Sequence, residues 1–219
     1  MQNKSKSPFK IAFSKFIHNK IAMLSVIFLL IITIVSIIAP LIAPFPVNQQ
    51  DLLNIKGEMT AQNILGTDSG GRDNFSRLLY AGRISLSIGI TSTIGMLLIG
   101  ITVGVISGYF GGIVDTLLMR ITEFVMLFPF LIFAIVLNAA LGDKIKNPYG
   151  SAILSFLGFG ISKAIPSWGN MLSDAQEGDV ISGKPWIWMP PAIMITLTIL
   201  SINFVGEGIK DAFNPRGRR

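Results

Sequence analysis

Residues Ile21 to Ala43 read IAMLSVIFLLIITIVSIIAPLIA, and this run decides the fold class. It holds no charged residue and lies inside an uncharged stretch that extends to Gln50. A helix crossing a bilayer needs about 20 mostly apolar residues. The run exceeds the 7–15 residues of a signal-peptide core, so it is expected to be a retained anchor. Three further stretches qualify as spans. Ile84 to Val114 is uncharged, Phe124 to Gly142 is uncharged with a helix expected to start near Thr116, and Pro185 to Gly206 is uncharged. The apolar stretch Ser151 to Ile161, which follows the turn residues Asn147, Pro148, Tyr149 and Gly150, is too short to span.

Composition agrees with this reading. Of the 219 residues, 51% are apolar and 14% are charged, against about 25% charged in an ordinary soluble domain. The mean hydropathy is +0.62. One core could not bury so much apolar surface, so the excess must face lipid. There is no Cys, which excludes disulfides, thiolate metal sites and cysteine nucleophiles. The single His, His18, sits in a Lys-rich leader, which excludes a site built from His ligands. No carboxylate pairs recognisably with a nucleophile or base, so no enzyme is expected.

The net charge of +6 is concentrated at the ends of the chain and reflects membrane topology rather than nucleic-acid binding. Lys4, Lys6, Lys10, Lys15 and Lys20 precede the first span, and Lys210, Arg216, Arg218 and Arg219 follow the last. The long connections 44–83 and 143–187 each balance four basic against four acidic residues. Both termini are therefore expected in the cytoplasm and both connections outside. The expected order is a basic leader over 1–20, a span over 21–43, an extracellular segment over 44–83 and a membrane domain over 84–219. That domain has spans at about 84–108, 116–141 and 187–208 and an apolar remnant at 151–161. Phe9, Ala12, Phe13, Phe16 and Ile17 follow helical spacing, which predicts an amphipathic interfacial helix before the first span.

Several local features stand out. Gly100, Gly104, Gly108 and Gly112 recur every four residues and form a strip without side chains, suited to close helix packing. Arg120 and Glu123 are neighbours on a helix. Gly66-Thr67-Asp68-Ser69-Gly70-Gly71-Arg72-Asp73 superficially resembles a phosphate loop but lacks its Lys and Ser or Thr, so nucleotide binding there is rejected. A tight turn pinned by Asp68, Arg72, Asp73 and Arg77 is expected instead. Pro166, Trp168, Gly169 and Asn170, with Trp186 and Trp188, suggest either an interfacial belt or a docking surface for a partner.

The run from Leu65 to Tyr80, followed by Gly82-Arg83-Ile84-Ser85-Leu86, resembles the C-type permease subunits of oligopeptide, dipeptide and nickel ABC importers. The same holds for Asp115 to Pro129, Ser155 to Gly160, Pro166 to Leu172 and the closing Gly206 to Arg216. The resemblance implies an all-α fold of six transmembrane helices, of which about four remain here. It implies a second permease subunit, two cytoplasmic ATPase subunits that carry the ATP, and an extracellular solute-binding protein in a bacterial plasma membrane. No cofactor is implied on this chain. Measured against the family, the fourth span, the cytoplasmic coupling loop and most of the fifth span are missing between Leu141 and Ser155, and no Glu-Ala-Ala occurs anywhere. Three readings follow: a permease subunit, a non-transporting truncated remnant that cannot couple to the ATPase, and a small pore built on the glycine face.

Overall fold

A computed structural model describes residues 8–127, 166–173 and 178–213. Among the described residues every regular element is a helix, and one isolated antiparallel bridge joins Thr67 to Asp73. The elements are α1 (Pro8–His18), α2 (Lys20–Ile37), α3 (Ala39–Ile42), α4 (Asn74–Phe110), α5 (Gly112–Leu127), α6 (Trp168–Ser173), α7 (Gly178–Gly183) and α8 (Pro185–Phe213).

Helices α2, α4 and α8 are long and apolar enough to cross a membrane. At about 1.5 Å per residue the 18 residues of α2 span about 27 Å, close to the hydrocarbon thickness. The 37 residues of α4 span about 55 Å, so this helix must extend well beyond the bilayer core. Its start lies ten residues before Ile84, where the uncharged stretch begins. Arg77 and Arg83 do not end the helix; its start is set by Asp73, whose side chain accepts from the Ser76 N–H at 2.7 Å. At its other end, Gly111 and Gly112 adopt φ of 58° and 50° and turn the chain into α5. The Ser107 hydroxyl donates to Asp115 across that turn. The third expected span is described only as far as Leu127, and the remnant 151–161 lies outside the described residues.

Each break has a local cause. Asn19 caps α2, its side-chain oxygen accepting from the Ala22 N–H at 3.2 Å. Pro40 cannot donate to the carbonyl four residues back, so the α2 ladder ends at Ile38 and α3 turns away as a separate short helix. Pro190 and Pro191 lie in the early turns of α8 and leave two more carbonyls without helical donors.

The core lies where α2, α4, α6 and α8 meet. Ile32, Ala81, Trp168 and Met171 are buried together, with Phe28, Leu86 and Met194 packed around them. Two glycines allow the helices to approach. A Cβ on Gly82 would collide with the Ser36 hydroxyl and lie 3.2 Å from the Trp168 ring. A Cβ on Gly208 would lie 2.6 Å from the Ala22 Cβ and 3.1 Å from the Phe16 ring. By contrast, most of α4 beyond Ser85 and the whole of α5 are open, with residues such as Met96, Leu98 and Ile113 largely exposed.

These contacts separate two kinds of glycine. Gly82→Val forces α2 and α4 apart and is expected to destabilise the purified protein by about 1–3 kcal/mol, read as an earlier thermal unfolding midpoint in detergent. Gly104→Ala has free space and raises helix propensity. Its midpoint is expected to hold or rise.

Candidate functional site

The segment between α3 and α4 has no regular structure, and its order comes from buried charge. The Asp68 carboxylate accepts through Oδ1 from the backbone N–H groups of Gly70 at 2.7 Å and Arg72 at 3.0 Å. Its Oδ2 accepts from the Arg72 guanidinium at 2.9 Å and lies 3.2 Å from Arg77 Nε. The three side chains are only 3%, 6% and 1% exposed. The cost of burying two guanidiniums is offset in part by the carboxylate that lies between them, with its own lone pairs satisfied.

Around this pair the loop closes on itself. Gly71 has φ of 72°, and its carbonyl accepts from the Asp51 N–H at 2.9 Å, at an approach that leaves no room for a Cβ. Gly66 has φ of 62° and lies against the Trp186 ring. Asp73 caps α4 through Oδ2 and accepts from the Asn63 side-chain amide at 2.9 Å through Oδ1. Asn74 donates to the Leu65 carbonyl at 2.9 Å. The Ser76 hydroxyl accepts from the Phe45 N–H at 3.2 Å, which ties the chain leaving α3 to the first turn of α4. The sequence-selected residues Gly66, Asp68, Gly71, Arg72, Asp73 and Arg77 are thus brought into one cluster.

The cluster is fastened to α8 by residues the sequence reading did not connect with it. Lys184 Nζ donates to the Lys56 carbonyl at 2.7 Å, and the Trp186 indole N–H donates to the Gly57 carbonyl at 3.2 Å. These partners lie nearly 130 positions apart in sequence, and no local pattern could pair them. The Asp73-to-Ser76 cap, in contrast, is a readable helix-start signal.

Trp168 points inward. Its backbone N–H donates to the Ser85 hydroxyl at 3.1 Å and its indole N–H to the Leu78 carbonyl at 3.2 Å. Trp168 and Pro166 are buried, so neither offers a docking surface within this structure; of the four residues considered for docking, Gly169 is exposed and Asn170 is half-buried. Both alternatives drawn from sequence placed Trp168 at a surface, whereas its ring fills the junction of three helices. Only three glycines of the expected strip share α4, because Gly112 lies beyond the turn at Gly111 and begins α5. Among the described residues a Cβ at Gly100, Gly104, Gly108 or Gly112 meets no atom within 4 Å. Arg120 and Glu123 form an exposed pair at 2.9 Å on α5.

Beneath Trp168, between α4 and α8, lies an open groove of about 640 Å³. Its lining is apolar, interrupted by the hydroxyls of Ser85, Thr93, Ser167 and Thr198. Among the described residues no charged side chain lines it, and those present offer apolar surface and single hydrogen bonds.

The fold and this outer cluster define a multi-spanning α-helical membrane protein. The family described as the N-terminal TM domain of oligopeptide transport permease C matches residues 7–60. The oligopeptide transport system permease protein OppC of Haemophilus influenzae is 30% identical over 287 aligned positions, covering all of this chain and 92% of its own length. The dipeptide transport system permease proteins DppC of Alkalihalophilus pseudofirmus and Bacillus subtilis are 27% and 28% identical, covering 96% and 92% of this chain and 90% and 83% of their own. The chain belongs to the C-type permease subunits of peptide ABC importers. It is a membrane-embedded permease component, and components of this kind work with ATPase and solute-binding partners. The reading as a non-transporting remnant is not favoured by this agreement. The alignment to OppC runs over 287 positions against the 219 residues of this chain, so the relative carries residues with no counterpart here.

Asp68→Asn leaves two buried guanidiniums sharing a neutral amide. The expected cost is about 3–5 kcal/mol, measured as a lower midpoint of thermal unfolding. Faster proteolytic cleavage within residues 44–73 is expected to accompany it.

Proposed function

We propose that this chain forms one half of the translocation path of an ATP-driven importer for peptides, with nickel or metal complexes as the related alternative solute. The match to peptide permeases along the whole chain carries this reading. In it, the protein lies in a bacterial plasma membrane with both termini in the cytoplasm and residues 44–83 outside. It pairs with a second permease subunit, receives solute from an extracellular binding protein, and is driven by two cytoplasmic ATPases. ATP binds to those partners, and no cofactor is held by this chain.

The geometry suggests how the work is divided. The outer ends of α2, α4 and α8 are tied by the Asp68 cluster and by Lys184 and Trp186, so they move as one body. The open surfaces of α4 and α5 offer the faces that slide against the second permease. A switch between outward-open and inward-open states then displaces this body as a unit, with the ATPases biasing the populations. The family's coupling loop has no counterpart in the sequence, so on this reading force from the ATPases enters through the remaining cytoplasmic ends.

The test is co-expression with the cognate second permease, ATPases and binding protein, followed by reconstitution in vesicles. ATP-dependent accumulation of labelled di- to oligopeptides is expected, and it should vanish when the ATPase is made hydrolysis-defective. An ATPase that fails to co-purify, with no peptide or Ni²⁺ uptake while a full-length relative works in the same vesicles, would overturn the proposal.

A further inference from the structure

The amphipathic helix α1 is joined to the spanning helix α2 by the single residue Asn19, so it is held at the level where the span begins. Its apolar arc is divided between two surroundings. At about 100° per residue the arc runs from Ala12 through Phe16, Phe9 and Phe13 to Ile17. The Ala12 and Phe16 side is occupied by protein: Ala12 is buried, and Phe16 lies against Gly208 of α8. Phe9 meets the Phe213 ring with centroids 6.4 Å apart. On the other side of the arc, Phe13 and Ile17 are both exposed. Lys10 borders the Ile17 edge of the arc and Lys15 the Ala12 edge; both are exposed, as is Lys20. The chain carries no acidic residue before Asp51.

We propose that α1 is a lipid-dependent clamp on the end of α8: Phe13 and Ile17 seat in the bilayer, Lys10 and Lys20 engage anionic phospholipid headgroups, and the Ala12 and Phe16 edge holds α8 in place. The charge pattern selects this occupant. The exposed Phe13 and Ile17 side, bordered by the Lys10 stem, with Lys20 at the start of the span and no acidic residue nearby in sequence, matches an anionic bilayer surface, where the stems lie along the acyl boundary and the ammonium groups reach the phosphates. This goes beyond the transport reading and does not depend on which solute is carried.

The absence of cysteine makes a clean test possible. The full chain with Phe13→Cys, labelled with an environment-sensitive dye, is reconstituted in vesicles of phosphatidylcholine alone and of phosphatidylcholine with phosphatidylglycerol. Quenching is measured with the neutral quencher acrylamide. Should Phe13→Cys fail to insert, Ile17→Cys carries the same label, and Leu53→Cys on the outer segment gives the fully exposed reference. The label is expected to be shielded in the anionic vesicles and markedly less so in the neutral ones. Replacing Lys10 and Lys20 by Gln together is expected to shift seating on the order of 30-fold toward the exposed state. Equal quenching in both vesicle types would overturn the proposal. So would shielding that persists in the double variant, or that arises only when ATPase subunits are added.

Discussion

One buried carboxylate, Asp68, organises the end of this protein where α3, α4 and α8 meet the connecting segment. It is shared by Arg72 and Arg77, and it also caps the turn between them through two backbone N–H groups. A segment of some thirty residues without regular structure cannot be ordered by hydrophobic burial when Leu52, Leu53, Ile55 and Met59 are all exposed. Its backbone entropy is instead opposed by charge-assisted hydrogen bonds in a site closed to water, where each bond is stronger and each loss more costly. With Asp68 fixed, Asp73 is presented at the start of α4, Asn63 and Asn74 find their partners, and the carbonyls of Lys56 and Gly57 face Lys184 and Trp186.

The two ends of the helical body are consequently unlike. The outer end is cross-linked by polar contacts between segments distant in sequence, including Trp168 to Ser85 and Leu78. The end near Gly208 is joined by close packing of α1, α2 and α8 through small residues and two phenylalanines. Between them, α4 departs from the body and shows its apolar surface on nearly every side. That difference suits a subunit whose work requires one rigid region and one region exchanging contacts with other chains.

Sequence patterning reveals the helices because a bilayer imposes a requirement that a short window can display: about 20 apolar residues, uninterrupted. The same patterning does not locate the start of α4, because charge marks where a helix leaves lipid and not where its hydrogen bonds begin. Arg77 and Arg83 lie inside the helix, and the cap is Asp73. The outer cluster is half legible. Asp68, Arg72, Asp73 and Arg77 are close enough in sequence for mutual pairing to be inferred, whereas Lys184 and Trp186 reach it only through the tertiary fold. Trp168 was read as a surface residue because tryptophan is enriched at membrane interfaces; its burial follows from the carbonyl and hydroxyl partners that α4 supplies, which no statistic of composition contains.

The glycines give the most instructive contrast. Spacing alone selects Gly100, Gly104, Gly108 and Gly112, yet the close approaches within this chain occur at Gly82 and Gly208, which belong to no repeat. A regular strip requires only that the helix be smooth, whereas a contact requires a neighbour at the same height. Gly82 lies where α2 brings Ser36 and α6 brings Trp168, and Gly208 where α2 brings Ala22 and α1 brings Phe16. Small residues at contacts inside the chain are therefore set singly by the shape of what they meet. A strip of three along one open face has the form expected where a straight surface is to be met, and α4 presents it at Gly100, Gly104 and Gly108, on the half of its length that the rest of this body leaves uncovered, while Gly112 lies past the turn in α5.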